Sequence, residues 1–144
     1  MLSVIHVLGS MLMMFSITYL LPAVTAVIYD DGQLLDFAVA ALVCLGAGAV
    51  IWAATRSYKR ELRSRDGFLL VTLAWVLMSA IATVPLLIAI PDLSFTDAFF
   101  ETMSGLSTTG ATVLVGLEHL PPSINMWRAA LHWYGGMGII VLVV

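Results

Sequence analysis

A short polar segment, TTGAT at residues 108–112, interrupts an apolar stretch and is the best candidate for a binding site. It has β-branched residues around one glycine, Gly110, which can adopt a positive φ angle and help successive carbonyl groups turn toward one axis. Carbonyl groups that line a cavity attract cations. The segment therefore predicts a backbone loop that binds ions, although TTGAT alone also fits a β-prone external hairpin loop.

A short helix is predicted immediately before this loop. Ser94 followed by Asp97 resembles a capping box, and the helix is not expected to continue far past Gly105. A helix of about 12 residues is about 18 Å long, roughly half of a bilayer core, so it is expected to be re-entrant. Its C-terminal end, with about half a negative charge, would point at the loop. The apolar residues at helical spacing are Phe95, Ala98, Phe99, Met103 and Leu106.

The composition indicates a membrane protein. Of the 144 residues, 61% are hydrophobic and 10% are charged, whereas a soluble domain averages about 25% charged residues. The single cysteine, Cys44, is expected to fill space in the core, since a disulfide or a redox site would need partners that the sequence lacks. The first apolar segment has no Lys or Arg and is too long for a signal peptide, so it is predicted to be a retained helix.

Four apolar segments predict an all-α polytopic membrane protein. Five of the six basic residues lie within residues 56–65. Because Lys and Arg collect in cytoplasmic loops, this connection and the N-terminus are predicted to be cytoplasmic, and the short helix enters from the external side. The segments are residues 1–28, 37–55, 68–90 and a fourth from residue 124, which is still apolar at Val144.

Packing roles are predicted for several small and aromatic residues. Gly46 and Gly48 would let a neighbouring helix approach closely. His132 and the glycines that follow it are expected to pack near the loop. Trp127 and Arg128 are expected at the outer membrane interface, where such residues are enriched.

Several short motifs occur in an order that resembles a known family. They are Asp97-Ala98-Phe99-Phe100-Glu101, Ser104-Gly105-Leu106, Thr108-Thr109-Gly110-Ala111-Thr112 and Gly135-Gly136-Met137-Gly138-Ile139-Ile140-Val141-Leu142. Together they resemble one potassium-filter unit of the Trk/Ktr/HKT transporter superfamily, most closely the TrkH-type membrane subunit of bacterial Trk systems. The resemblance extends over the whole chain.

The resemblance implies a set of ion ligands and a division of the chain. The carbonyls of Thr108, Thr109 and Gly110 would bind the transported potassium ion, with Ala111 at the outer rim. Residues 1–66 would form two transmembrane helices with a basic cytoplasmic loop. Residues 67–144 would form the first helix–pore loop–helix repeat, with a truncated last helix. No organic cofactor is expected.

Members of the resembled family carry four such units in one polypeptide, and this sequence shows one. The chain is therefore expected to be a fragment of a longer protein that takes up potassium. The resemblance also implies a bacterial inner membrane, contact with lipid, a homodimer and a cytoplasmic nucleotide-binding subunit of the TrkA type. Neither enzyme activity nor a nucleic-acid partner is expected.

Three other interpretations stay open at this point. A short channel subunit could complete its own filter by forming a tetramer. A histidine pair on two spans, His6 and His132, could ligate haem. The chain could also be a non-conducting structural segment of a membrane assembly. Glu101 speaks against the last of these, since an acid at membrane depth is costly unless it is paired or hydrated.

Overall fold

The computed structural model describes residues 2–57 and 64–143, and its regular structure over these residues is helical. By length and composition, three segments of this range could cross a membrane: Leu2–Tyr29, Leu34–Thr55 and Asp66–Ala89. They correspond to the first three predicted spans. The middle of the predicted basic connection, residues 58–63, lies outside the described residues.

The first span consists of three consecutive helical pieces. α1 (Leu2–Phe15) is followed by a 3₁₀ turn over Ser16–Tyr19 and then by α2 (Leu20–Tyr29). Proline has no N–H, and its ring crowds the carbonyl four residues earlier. Pro22 therefore disturbs the α-helical ladder at Thr18, within the 3₁₀ turn.

α3 (Leu34–Thr55) packs along α1 through two glycines. A Cβ added to Gly48 would lie 2.8 Å from the Gly9 carbonyl oxygen, and one added to Gly9 would lie 2.8 Å from the Trp52 backbone nitrogen. The packing role predicted for Gly48 is thus confirmed. The role predicted for Gly46 is not seen within the described residues, where a Cβ there has no neighbour within 4 Å. Two residues along a helix turn by about 200°, which takes Gly46 off the α1-facing side.

The third span is broken at Thr83, between α4 (Ser64–Ala82) and α5 (Val84–Ala89). Pro85 removes one hydrogen bond of the helix and crowds an earlier carbonyl, so carbonyls near the break need other partners at membrane depth. Side chains from three other elements donate to them, and the break thereby joins these elements. The pairs are Tyr19 Oη to Ile81 at 3.1 Å, Thr102 Oγ1 to Ser79 at 2.8 Å and Trp127 Nε1 to Ala82 at 3.1 Å.

The last two helices flank the candidate loop. α6 (Phe95–Leu106) has 12 residues and ends, as predicted, just past Gly105. α7 (Pro122–Val143) has 22 residues and packs against α6 and α2. Within the described residues, α7 is not among the segments that qualify as spans by length and composition.

The core is built where all these helices meet. Trp127 is completely buried there and stacks on Tyr19 with a centroid distance of 4.4 Å. The ring of Trp127 therefore fills the space between the helices, a core role that the predicted interface position does not include. Cys44 is also fully buried, as predicted for a core filler.

Large apolar side chains cover much of the outer surface. On α3 alone, Leu35, Leu42 and Val50 are each about 70% exposed, with values of 74%, 68% and 69%. Extended apolar surface of this kind is unfavourable in water but matches the hydrocarbon of a bilayer. The fold is that of a multi-pass membrane protein.

Candidate ion-binding loop

Ser94 fixes the beginning of α6. Its Oγ accepts a hydrogen bond from the Asp97 N–H at 3.1 Å and donates to the Asp97 carboxylate at 2.7 Å. The predicted cap is confirmed, although Asp97 binds the serine hydroxyl, whereas a full capping box would use the backbone N–H of the cap residue. The acid also suits the positive end of the helix. Because the start of α6 is fixed, the position of its C-terminal end beside the loop is fixed as well.

α6 ends in a Schellman turn that leads directly into the loop. The Thr108 N–H donates to the Gly105 carbonyl and the Thr109 N–H donates to the Ser104 carbonyl, both at 2.9 Å, which is the hydrogen-bond pair of this motif. Thr108 occupies the left-handed position, with φ of 58°. A β-branched residue rarely adopts this conformation, and it costs about 1–2 kcal/mol. The backbone is thus strained where the loop begins.

A second left-handed residue follows two positions later. Gly110 has φ of 77°, as the sequence predicts, whereas Thr109 between the two does not have a positive φ. This change of backbone handedness breaks the regular alternation of carbonyl directions that a β-strand would have. Successive carbonyls can therefore gather on one side of the loop.

Ser104 holds the loop against the end of α6. Its buried hydroxyl donates to the Ala111 carbonyl at 2.7 Å, so one lone pair of that carbonyl is already used. Within the described part of the chain, the carbonyls of Thr108, Thr109 and Gly110 accept no hydrogen bond. The loop thus presents three carbonyls that need partners.

The side of the loop away from α6 is open. Residues 107–113 are all exposed, and the predicted ligand residues lie together on this surface. Backbone polar groups at membrane depth persist only inside protein or beside a water-filled cavity. Such a surface is what one wall of a pore requires.

Side chains brace the loop and do not form a metal site. The Thr109 hydroxyl lies 2.8 Å from that of Ser107, and the Thr112 hydroxyl donates to Glu101. In the ranges that the structure covers, no group of three or more His, Cys, Asp or Glu residues could hold a metal ion. Any ion at the loop would therefore be bound mainly by backbone oxygens.

Glu101 is the buried acid behind the loop, and it is 5% exposed. It pairs with Arg128 of α7 and accepts hydrogen bonds from Thr112 and Val113. The interface role predicted for Arg128 misses this pairing. A signal was present in the sequence, because Arg128 is the one basic residue outside residues 56–65, and a lone charge in an apolar helix needs an opposite partner.

α7 passes directly behind the end of α6. A Cβ added to Gly135 would overlap with the Leu106 carbonyl, so no larger residue fits. The His132 Nδ1 lies 2.8 Å from the Arg128 carbonyl oxygen and must carry the proton, since a carbonyl only accepts. The other ring nitrogen, Nε2, would lie 3.8 Å from a Cβ on Gly110. His132 and Gly135 thus pack near the loop, as predicted.

The two histidines considered for haem have different surroundings. The His6 Nδ1 lies 3.1 Å from the Thr55 hydroxyl, and its ring stacks on Trp52. His132 lies behind the loop. A bis-histidine haem needs both rings to face one site, and the structure brings only His132 to the loop.

Comparison with known families and proteins gives consistent matches. The family model described as "TrkH: Cation transport protein" matches residues 34–144. The "Trk system potassium uptake protein TrkH" of Vibrio parahaemolyticus is 50% identical over 143 residues, which cover 99% of this chain and 30% of that protein. The protein of the same description from Escherichia coli K12 is 44% identical over 143 residues, with the same coverage of 99% and 30%.

A solved structure matches as well. The crystal structure of the potassium transporter TrkH from Vibrio parahaemolyticus has a TM-score of 0.91 and 48% sequence identity, and the match covers 98% of this chain and 30% of that one. The predicted all-α membrane architecture is thereby confirmed. The chain spans about 30% of the length of the relatives that it matches.

Proposed function

Because the chain belongs to the TrkH family of cation transport proteins, we propose that it supplies one wall of the filter through which a Trk-type system takes up potassium. This is a family of transporters and not of enzymes, as the sequence analysis predicts. The matched relatives are described as potassium uptake proteins, which supports potassium as the substrate. No organic cofactor is part of the proposal.

The observation that carries this proposal is the row of carbonyls at Thr108, Thr109 and Gly110. They accept no hydrogen bond within the described residues and lie on an exposed surface at the C-terminal end of a short helix. A potassium ion must shed water in a narrow filter, and rings of carbonyl oxygens can replace its hydration shell. The partial negative charge at the end of α6 favours a cation at the same place.

We assign the Thr108, Thr109 and Gly110 carbonyls to the ion and Ala111 to the outer rim of the filter. The hydrogen bond from Ser104 to the Ala111 carbonyl supports a rim role, because that oxygen is partly committed to the protein. Ion entry would be driven by the membrane potential, which contributes about 2.3 kcal/mol per 100 mV for one charge.

One loop forms one wall, so the proposal requires three further walls. We assign residues 67–144 to one helix–pore loop–helix repeat and residues 1–66 to a pair of helices that supports it. The other walls would come from further repeats of the same kind. We also propose a bacterial inner membrane with a cytoplasmic N-terminus, a homodimer, and regulation by a cytoplasmic nucleotide-binding subunit of the TrkA type.

Gly110→Ala tests the filter. An added Cβ at Gly110 has its nearest neighbour, in His132, at 3.8 Å, so any effect comes from the positive φ angle and not from lack of space. The strain of about 1–2 kcal/mol is expected to displace the Gly110 carbonyl from its position in the filter, and a loss of about 1.4 kcal/mol in differential ion binding corresponds to a factor of ten. We expect potassium uptake relative to sodium uptake to fall by about tenfold when the complete open reading frame is expressed in cells without other potassium uptake systems.

Gly32→Ala is the matched control. Gly32 has nearly the same φ angle, 79°, and open space around it, but lies in the loop between α2 and α3. The same backbone strain there should leave ion discrimination unchanged. Equal effects of the two substitutions on the potassium-to-sodium ratio, or no potassium uptake by the unaltered protein, would contradict the proposal.

A further inference from the structure

Glu101 and Arg128 form a buried ion pair behind the outer end of the loop. Their side chains are only 3% and 16% exposed. Arg128 approaches side-on, with its Nε at 2.8 Å and its Nη2 at 2.6 Å from the same carboxylate oxygen, Oε1. Two neighbouring nitrogens on one oxygen hold the guanidinium in a single orientation. The pair therefore ties α7 rigidly to α6.

The carboxylate of Glu101 is also bound to the loop. The Thr112 hydroxyl lies 2.8 Å from Oε1 and 2.9 Å from Oε2, and the Val113 N–H donates to Oε2 at 3.1 Å. The Leu114 N–H in turn donates to the Thr112 hydroxyl oxygen at 3.1 Å. Both carboxylate oxygens thus have donors from the protein. Glu101 holds the loop and is not free to act as a cation ligand.

The loop is therefore anchored among its free carbonyls and beyond them. The Ser104 carbonyl accepts the Thr109 N–H among the free carbonyls, and the Ser104 hydroxyl donates to the Ala111 carbonyl just beyond them. Glu101 holds Thr112 and Val113 at the outer side. Discrimination between ions by carbonyls depends on the spacing and the number of the oxygens, and an anchored outer end keeps that spacing.

We propose that Glu101 and Arg128 are positioning residues that set the ion discrimination of the filter by holding Thr112 and Val113, without touching the ion. This inference rests on the proposed filter function. Arg128 neutralises and orients Glu101, and Glu101 orients the loop. The pair also links the outer end of the filter to α7.

Thr112→Val is the variant that tests this with least risk to folding. It removes the hydroxyl that bridges the loop to Glu101 but keeps the side-chain volume and leaves the ion pair intact. Loss of a hydrogen bond to a charged group is expected to lower the ratio of potassium to sodium uptake by about tenfold. Thr72→Val is the matched control, because among the described residues the Thr72 hydroxyl donates only to the Phe68 carbonyl of its own helix.

Two changes within the pair separate its charge from its geometry. The double variant Glu101→Gln, Arg128→Gln leaves no unpaired buried charge, so the protein should reach the membrane. Its discrimination between potassium and sodium should be reduced. Arg128→Lys keeps the positive charge but lacks the planar fork that holds Glu101 side-on. Arg128→Lys should therefore also lose discrimination between potassium and sodium. If this variant keeps the uptake ratio of the unaltered protein, the positioning role is contradicted.

The measurements are potassium and sodium uptake by the complete open reading frame, normalised to protein in the membrane. Reduced discrimination by Thr112→Val with normal membrane levels supports the inference. An unchanged ratio of potassium to sodium uptake in both Thr112→Val and the double variant overturns the positioning role. If Gly110→Ala still loses discrimination in the same experiment, the proposed filter function stands. If the unaltered protein takes up no potassium, the proposed function fails and this inference fails with it.

Discussion

Thr108 holds a left-handed backbone conformation where most helices that end in this way have glycine. Thr108→Gly should relieve the strain and stabilise the folded protein by about 1 kcal/mol, which thermal unfolding in detergent can measure. The same change should reduce ion discrimination, because a flexible residue would replace a rigid β-branched one beside the carbonyls. Stability and selectivity are thus expected to move in opposite directions.

Ser107→Gly is the control for that substitution. Ser107 precedes Thr108 but has φ of −79°, a conformation that any residue adopts. Glycine there relieves no strain, removes the hydroxyl that contacts Thr109 and adds flexibility to the unfolded chain, so it should lower the melting temperature. If Thr108→Gly also lowered the melting temperature, the left-handed strain at Thr108 would be disproved.

The two left-handed residues show how much of the site follows from the sequence. Gly110 could be predicted, because glycine adopts positive φ at little cost. Thr108 could not, because its local preference opposes the conformation that the Schellman turn imposes. The sequence indicated that Arg128 needs an acidic partner, but the identity of that partner could not be predicted, since the pairing with Glu101 depends on how α6 and α7 pack across 27 residues of sequence.

The crossing of α7 behind α6 depends on one glycine among three. A Cβ on Gly135 would overlap with Leu106, whereas one on Gly136 has its nearest neighbour, the Thr108 Cγ2, at 3.9 Å. Gly135→Ala should therefore push the two helices apart and destabilise the protein by about 1–3 kcal/mol or more. Because Leu106 directly precedes the loop, potassium uptake should fall as well.

Gly136→Ala provides a neighbouring control on the same helix. Its added methyl group makes an ordinary contact, and alanine favours a helix over glycine by about 1 kcal/mol. Melting temperature and uptake should therefore be maintained or improved. Similar losses in both variants would show that general crowding along this face of α7, rather than contact with Leu106, explains the effect.

The helices themselves could be predicted largely from hydrophobic length, but their interruptions could not. Runs of apolar residues indicated the first three spans because a bilayer requires about 20 such residues. The 3₁₀ turn at Ser16–Tyr19 and the break at Thr83 are supported by tertiary hydrogen bonds, such as that from Tyr19 to Ile81. In the sequence, only Pro22 and Pro85 indicated these two interruptions. The side chains that bind the freed carbonyls lie far away in sequence and could not be predicted.

The N-terminal helices are connected to the loop unit through a contact between the α2–α3 loop and the start of α7 as well as through the core. The Asp31 carboxylate accepts the Ser123 N–H at 2.9 Å, near the start of α7, and the Gln33 N–H at 3.1 Å. Desolvation opposes the charge of Asp31, but these hydrogen bonds outweigh it, so the pKa of Asp31 lies below its ordinary value. An anion also suits the positive N-terminal end of α7. The charged form of Asp31 thus favours the assembled structure.

This contact predicts a loss of stability in acid. Because the pKa of Asp31 is lower in the folded state, its contribution is complete above the ordinary pKa and is lost as the pH falls through the folded value. Asp31→Asn should lower stability at neutral pH by less than about 1 kcal/mol, since the contact is partly exposed. The melting temperature of the unaltered protein should then approach that of Asp31→Asn as the pH falls below about 3.9, the ordinary pKa of aspartate. If the difference in melting temperature between the unaltered protein and Asp31→Asn stays constant as the pH falls, the carboxylate charge does not hold the α2–α3 loop to the start of α7.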